Sequence, residues 1–476
     1  MQFKLNGQLQ SYTGDPDRSL LHYLRESAGI ISPKDGCAPQ AACGCCAVQL
    51  NDKAVLSCVI PMKKVADGQV ITIEGMSDYQ QTVFANAFVE KGGVQCGFCI
   101  PGMVMQAKAL IDKNATPSRA EITHALTPHL CRCTGYKKII DAIEYAAAAL
   151  RNEEEIPRPT SSGKIGERHP RYDAFRSVLG QRPYVADLRL PGMLHAALKF
   201  SDHPRAKVLS LDTQAAQQIP GVIRIFTAAD IPGDRTIGLI KQDWPLMLAL
   251  GEETRYIGDV LAGVVATSEE IARQAVAAIL VEYQVLPPLV DPFVAIQPGA
   301  PALHSSGNIL SKTVIQRGDV EQALAASAFV TQGVYQTQTI EHGFMEPECC
   351  VARPLGAGVE LFSQGQGVYE DQKQVAKLLG LPLEQVRVEL APNGGGFGGK
   401  EDLSVQGHAA LFAYLLQQPV KVTLTRAESI NMHPKRHPLH LEYTLGCDAQ
   451  GKLTALKACI VGDTGAYASV GMKVLE

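Results

Sequence analysis

Gln95-Cys96-Gly97-Phe98-Cys99-Ile100-Pro101-Gly102 and, with 31 residues between Cys99 and the next thiol, Cys131-Arg132-Cys133-Thr134-Gly135-Tyr136 place four cysteines in two tight pairs. The two-residue spacer lets both sulfurs of one turn face a single centre, and the one-residue spacer does the same from an extended or turning backbone. The sequence between the pairs has helical periodicity, so the pairs can fold back onto one another. Residues of this type at this spacing suit a structural zinc site or an iron–sulfur cluster. A second group upstream, Cys37, Cys43, Cys46 and Cys58, with spacers of 5, 2 and 11 residues, shifts the balance towards clusters.

That group lies in Asp35-Gly36-Cys37-Ala38-Pro39-Gln40-Ala41-Ala42-Cys43-Gly44-Cys45-Cys46-Ala47-Val48, which approximates the plant-type ferredoxin loop. Small side chains there allow backbone N–H groups to turn towards the sulfurs. With the two groups in this order, the chain resembles the molybdenum hydroxylases, the family of xanthine dehydrogenase and aldehyde oxidoreductase. Within it the fused, selenium-dependent xanthine dehydrogenase-like proteins are nearest. The resemblance implies two 2Fe-2S clusters, one on Cys37, Cys43, Cys46 and Cys58 and one on Cys96, Cys99, Cys131 and Cys133. The first loop departs from the family pattern. It has five residues where four are usual before Cys43, Gln40 and Ala41 near where a glycine is expected, and an extra thiol at Cys45.

A chain of 476 residues holds about three or four domains, and 46% hydrophobic content is ample for their cores. A net charge of -4 argues against a nucleic-acid partner. Met1-Gln2-Phe3-Lys4-Leu5-Asn6-Gly7 enters a strand and turn directly, and no apolar run approaches the ~20 residues of a membrane span. A cytoplasmic protein without a membrane partner is expected. Thirteen cysteines, eight of them in ligand spacing, fit a reducing compartment. Cys349, Cys350, Cys447 and Cys459 lie in apolar surroundings and read as packed core thiols.

The expected fold class is a multidomain α+β chain. In residues 1–75, hairpin turns at Asn6-Gly7 and Asn51-Asp52, a closing strand at 69–73 and one helix suggest a ferredoxin-like β-grasp domain. That helix has Asp17 as N-cap, Leu20, Leu21 and Leu24 on its apolar face, and Gly29 as its stop. Residues 76–155 form a helical 2Fe-2S domain. Val83, Phe84, Ala87 and Phe88 mark its first helix and Pro101 opens the second. Ser118 with Glu121 caps the third, and Ile139, Ile140, Ile143, Ala147 and Leu150 line the fourth. Residues 156–166 have linker composition. Residues 167–295, with buried strands at 192–198 and 260–266, resemble the family's α/β hammerhead domain, with no chemistry of its own. Residues 313–476 resemble an incomplete molybdopterin-binding α/β domain.

The matching pieces in that last portion are Glu341-His342 with Met345-Glu346-Pro347, Ser363-Gln364-Gly365-Gln366, and Gly394-Gly395-Gly396-Phe397-Gly398-Gly399-Lys400-Glu401. The glycine run lacks the order of a phosphate loop and alone reads as a flexible turn. Its use here is close backbone approach to a bulky cofactor. The resemblance places Gln364, Gly396 and Phe397 on the molybdenum cofactor. It makes Glu401 the substrate-binding residue, which meets a purine in xanthine dehydrogenases and is generally apolar in aldehyde oxidases. The blander reading of Glu401 is a surface pair with Lys400 or another surface charge. His433, His437 and His440 suggest a metal site by spacing, but Lys435-Arg436-His437-Pro438 resembles a structural segment of the same family.

The short linker has no room for the flavin domain that single-chain xanthine dehydrogenases insert there. The resemblance therefore implies no FAD domain in this chain, with electrons leaving to a separate FAD subunit or another acceptor, in a homodimer or hetero-oligomer. The last residues, 470–476, carry no cap or tail signal, and the chain is expected to be an N-terminal portion whose general base and most pterin contacts lie elsewhere. The expected function is oxidation of a purine such as xanthine or hypoxanthine, with water as oxygen source and electrons passing through both clusters. The alternatives are an aldehyde oxidoreductase of the same family, a non-enzymatic two-cluster electron carrier, and a zinc-stapled assembly subunit.

Overall fold

Asn6 and Gly7 take positive φ (50° and 83°), as do Asn51 and Asp52 (49° and 64°), so two hairpins close through two-residue type I′ turns. They join β1 (Gln2–Leu5) to β2 (Gln8–Ser11) and β3 (Ala47–Leu50) to β4 (Lys53–Leu56). β5 (Gln69–Ile71) pairs parallel with β1 and antiparallel with β3, giving the order β2-β1-β5-β3-β4. The helix on this sheet starts two residues later than expected. Ser19, not Asp17, caps α1 (Leu20–His22) by accepting the His22 N–H, and a π-helical turn over Tyr23–Ser27 follows before Gly29. Asp17 turns outward to an ion pair with Lys63. The computed structural model describes residues 1–37 and 40–475; Ala38 and Pro39 of the first cysteine loop, and Glu476, lie outside the described residues.

Four helices follow, each stopped or started by the local signals in the sequence. α2 (Asp78–Lys91) has a Ser77/Gln80 capping box and ends at left-handed Gly92. α3 (Ile100–Lys113) carries Pro101 in its first turn, and α4 (Arg119–Ala125) is opened by the Ser118/Glu121 box. α5 (Lys137–Asn152) buries Ile139, Ile140, Ile143 and Ala147 against the others. The connection after it is tethered where Asn86 Nδ2 donates to the carbonyl of buried Ile156 at 2.6 Å.

The largest sheet of the remaining residues has seven strands. Its strands are β6 (Leu194–Phe200), β8 (Val222–Phe226), β9 (Val260–Ala266), β12 (Cys349–Leu355), β13 (Gly358–Ser363), β14 (Val386–Leu390) and β15 (Val420–Thr423), in the order β14-β13-β12-β15-β6-β9-β8. β15 pairs parallel with β6, Val420 opposite Leu194, so the hammerhead and cofactor portions are one sheet. A Cβ on Gly263 in β9 would stand 2.1 Å from Phe412 Cζ. Its absence lets Phe412 of the buried helix Gln406–Leu416 stack on Phe226 at 4.7 Å. β7 (Ala206–Asp212) pairs with β10 (Leu280–Val285), and β11 (Phe329–Gln336), β16 (Leu439–Cys447) and β17 (Leu453–Gly462) form an outer three-stranded sheet. Of the thiols expected in the core, Cys349 and Cys350 are buried, but Cys447 is half-buried and Cys459 exposed, because that outer sheet leaves much of its surface open. Among the described residues no helix is long and apolar enough to cross a membrane.

Candidate redox and cofactor site

Cys37, Cys43, Cys46 and Cys58 are all buried at the rim of the first sheet. Their thiols form a chain of contacts, Cys43 to Cys37, Cys37 to Cys58 and Cys58 to Cys46, and the extra thiol of Cys45 joins it at Cys43. Hydrogen bonds between them pull Cys37 and Cys46 down and push Cys43 and Cys58 up. Four thiols buried within contact of one another are the donor set a metal centre takes. In the second group Cys96 meets Cys133, and Cys99 meets Cys131. Among the described residues no three His, Cys, Asp or Glu side chains converge on one point fit for a single ion. In the second group this pairwise contact fits a two-iron cluster, two thiolates to each iron, better than a tetrahedral zinc.

The second loop is braced from several sides. Gly97 has φ 89°, and a Cβ there would lie 2.7 Å from Ser177 Cβ, so glycine is required twice over. Tyr184 OH donates to the Cys96 carbonyl at 2.6 Å, and Gln95 Nε2 donates to that of Cys133 at 3.0 Å. Tyr136, at φ 69°, takes the Cys131 N–H on its hydroxyl at 2.9 Å and passes its own proton to the His129 carbonyl. The two groups adjoin: Leu130 N–H donates to the Cys43 carbonyl at 3.0 Å, and Cys45, fully buried, points its Sγ at the same carbonyl from 3.7 Å.

The glycine run packs directly against this core. Cβ atoms would stand 2.3 Å from Glu346 Cβ at Gly394, 2.3 Å from Gln366 Oε1 at Gly396 and 2.7 Å from His342 Nδ1 at Gly399. Phe397 takes the left-handed conformation (φ 56°) and leaves its ring half exposed. Lys400 is buried with its ammonium 4.4 Å from the Phe344 ring centroid, donating to the Glu346 carbonyl at 2.8 Å and to Gln364 Oε1. Glu401 is exposed beside it. A loop stripped of side chains and backed by buried polar groups fits close approach of a large, polar cofactor.

Gln364 does not face that loop's open side. It is 2% exposed, its Nε2 donates to the Pro347 and Cys349 carbonyls at 2.9 and 3.1 Å, and its Oε1 holds Lys400. Gln366 is exposed, and its Oε1 accepts the Gly398 and Lys400 N–H groups at 3.0 and 3.2 Å, leaving its NH2 outward. The three histidines also part company. His433 is buried between Glu341 (2.7 Å) and Glu348 (3.1 Å), whereas His440 pairs with Glu442 at 3.0 Å. Among the functional groups to which the sequence assigns no role are Glu346 and Lys400. Both stand in the motifs of this portion, but only burial distinguishes them.

Residues 3–72 match the 2Fe-2S iron-sulfur cluster binding domain and residues 72–144 the 2Fe-2S binding domain. Residues 179–287 match the aldehyde oxidase and xanthine dehydrogenase a/b hammerhead domain, and 303–476 the molybdopterin cofactor-binding domain. The nicotinate dehydrogenase large molybdopterin subunit of Eubacterium barkeri is 35% identical over 65% of this chain and 73% of its own. A probable xanthine dehydrogenase subunit of Bacillus subtilis (strain 168) is 38% identical over 64% of this chain and 41% of its own. The aldehyde oxidoreductase of Megalodesulfovibrio gigas is 32% identical over 98% of this chain and 54% of its own. The solved aldehyde oxidoreductase from Desulfovibrio gigas superposes with a TM-score of 0.92 at 29% identity, covering 97% of this chain and 54% of that one. The chain thus spans about half the length of the relatives that match its whole course. Fold and site together define an iron–sulfur and molybdopterin oxidoreductase architecture. The chain belongs to the molybdenum hydroxylase family of xanthine dehydrogenase and aldehyde oxidoreductase, with both 2Fe-2S domains, the hammerhead and part of the molybdopterin-binding domain.

Proposed function

We propose that this chain serves a molybdenum hydroxylase that oxidises a purine and sends the electrons through two 2Fe-2S clusters. The first is held by Cys96, Cys99, Cys131 and Cys133, the second by Cys37, Cys43, Cys46 and Cys58, and a separate FAD subunit or other acceptor follows. The carrying observation is that the ring of Phe98, between two of the ligands, lies 3.0 Å from where a Cβ on Gly394 would stand, so cofactor loop and cluster loop share one core. When bound, the molybdenum cofactor supplies a nucleophile at neutral pH and accepts the electron pair. The chain's own groups position. The side-chain-free backbone of Gly395 and Gly396 would let the cofactor approach, the amide of Gln366 would orient it, and Phe397 would cover it.

The purine reading rests on Glu401. Its neighbour Lys400 is turned inward to Gln364 and Glu346, so the blander Lys400–Glu401 surface pair is not formed. An available carboxylate matches the N–H donors of a purine, which a simple aldehyde lacks. The probable xanthine dehydrogenase subunit of Bacillus subtilis (strain 168) and a relative named a probable hypoxanthine oxidase XdhD, from Escherichia coli (strain K12), support the same class. In the holoenzyme, Glu401→Val is expected to cut kcat/KM for xanthine or hypoxanthine by roughly ten- to a hundredfold, the about 1.5–3 kcal/mol of a charged hydrogen bond. Turnover of aromatic aldehydes should be unchanged or improved. Equal losses on both substrate classes would overturn the assignment of Glu401 to substrate; the second reading, an aldehyde oxidoreductase, has the likeness to the aldehyde oxidoreductases in its support.

A further inference from the structure

Three parts of the molecule close on Glu346, which is 1% exposed. Its Oε2 accepts the Gly394 N–H at 2.6 Å, and its Oε1 has no partner among the described residues. Lys400 Nζ stands 3.9 Å from Oε2, beyond hydrogen-bond reach, because its protons go to the Glu346 carbonyl and to Gln364. A carboxylate taken out of water with one backbone donor and only a long ion pair, to Lys400 at 3.9 Å, favours its neutral form. Burial accordingly pushes Glu346 up to about 7, against the opposing pull of Lys400 and the Gly394 N–H.

The other charged groups facing it are already committed. Lys34 and Arg25 both pair with Asp187, at 2.5 and 2.7 Å. Tyr184 gives its proton to the Cys96 carbonyl. Arg426 holds the Gly36 and Met345 carbonyls, and Glu348, two residues along, is held by His433. Glu346 and the Phe98 ring between Cys96 and Cys99 flank one glycine: a Cβ on Gly394 would stand 2.3 Å from Glu346 Cβ and 3.0 Å from Phe98 Cδ2. Negative charge arriving on that cysteine loop, in a medium of low dielectric, raises the proton affinity of a nearby buried carboxyl.

We propose that Glu346 is a redox-linked proton site. When the 2Fe-2S cluster that Cys96, Cys99, Cys131 and Cys133 would hold takes up one electron (2+ to 1+), the Glu346 carboxylate would bind one proton from water, leaving the charge of this core unchanged. The electron comes from substrate oxidation in the proposed reaction and from a mediated reductant in the test. The inference rests on the proposed ligand set.

Potentiometric titration of the cluster-loaded protein, followed by electron paramagnetic resonance between about pH 5.5 and 8.5, tests it. One of the two cluster midpoints is expected to fall by about 59 mV per pH unit, the one-electron equivalent of a tenfold change, and to flatten at the acid end. Glu346→Gln, neutral throughout, should keep the acid-end midpoint with no slope. A wild-type midpoint independent of pH, or a slope that survives in Glu346→Gln, overturns the proposal. If that variant does not load clusters, indicator-monitored photoreduction of the wild type near pH 7 decides instead: net proton uptake supports the site, and none overturns it. Cys96→Ser reports separately on the ligand set, since retention of both cluster signals there would remove that assignment while leaving the measured slope as it stands.

Discussion

Gln364 and Gln366 stand two positions apart and meet opposite demands. Gln364 is a strut in a dry core: its amide oxygen holds the Lys400 ammonium and its nitrogen two carbonyls. Gln364→Ala should therefore strand a buried cation's proton and cost about 1–3 kcal/mol, read as a lower Tm. Gln366→Ala should leave Tm nearly unchanged and lower the molybdenum retained on purification. The reverse pattern would return the cofactor role to Gln364. Both glutamines stand in one motif, and choosing between them is beyond the sequence because β13 ends at Ser363, after which strand alternation no longer says which side faces in. The decision rests on Lys400, 36 positions away. The cysteines are easier, since their ligand spacing is local, whereas the backbone of Phe397 is not legible. A non-glycine residue at φ 56° stores strain of order 1–3 kcal/mol, and no pattern in the sequence marks it.

At the scale of elements, the helix Arg426–Met432 ends on His433, whose ring spans two other segments through Glu341 and Glu348. Burial alone would lower the His433 pKa, but the bonds to the two carboxylates outweigh it and raise it above 6.5. Burial would likewise raise Glu341, yet the His433 bond and charge hold it at about 2, and Glu348 is lowered for the same reason. The raised histidine contributes fully below its unfolded pKa and loses its contribution as pH rises through the folded value. The depressed carboxylates contribute above about 4.5 and lose theirs as pH falls towards the folded values. The stability difference between wild type and His433→Gln should thus peak between about pH 4.5 and 6.5 and shrink on both sides, measured by thermal melts across pH. A difference flat in pH would mean that the triad acts through packing alone. Caps such as Ser118 with Glu121 and turns such as Asn6-Gly7 are legible because each is satisfied within four residues. Asp17 competes with Ser19 because both are good N-caps two positions apart, and only the packing of Leu20 and Leu24 beneath the first sheet sets the start at Ser19. The pairing of 420–422 with 194–196 has no local signal at all.

Across the whole molecule, the exposed stretch around residues 158–170 is the one covalent link between the cluster-bearing part and the shared seven-stranded sheet, and Ile165 in it is fully exposed. The noncovalent links are stronger than that thread suggests. Arg25 and Lys34 both reach Asp187, Tyr184 reaches the Cys96 carbonyl, Arg132 Nε reaches the His342 carbonyl at 2.9 Å, and Arg426 reaches that of Gly36. Met345, Ala174, Val178 and Tyr184 also pack into the same apolar core as Phe98 and Cys99. Buried pairs cost several kcal/mol when one partner is lost, because the other charge is left in a dry interface. A protease that cuts within 158–170 should therefore give two fragments that co-elute on size exclusion and keep both cluster signals. Asp187→Ala, which strands Lys34 and Arg25 together, should let the nicked halves separate. If the nicked wild type falls apart at once, the thread rather than the buried ion pairs holds the clusters to the cofactor loop.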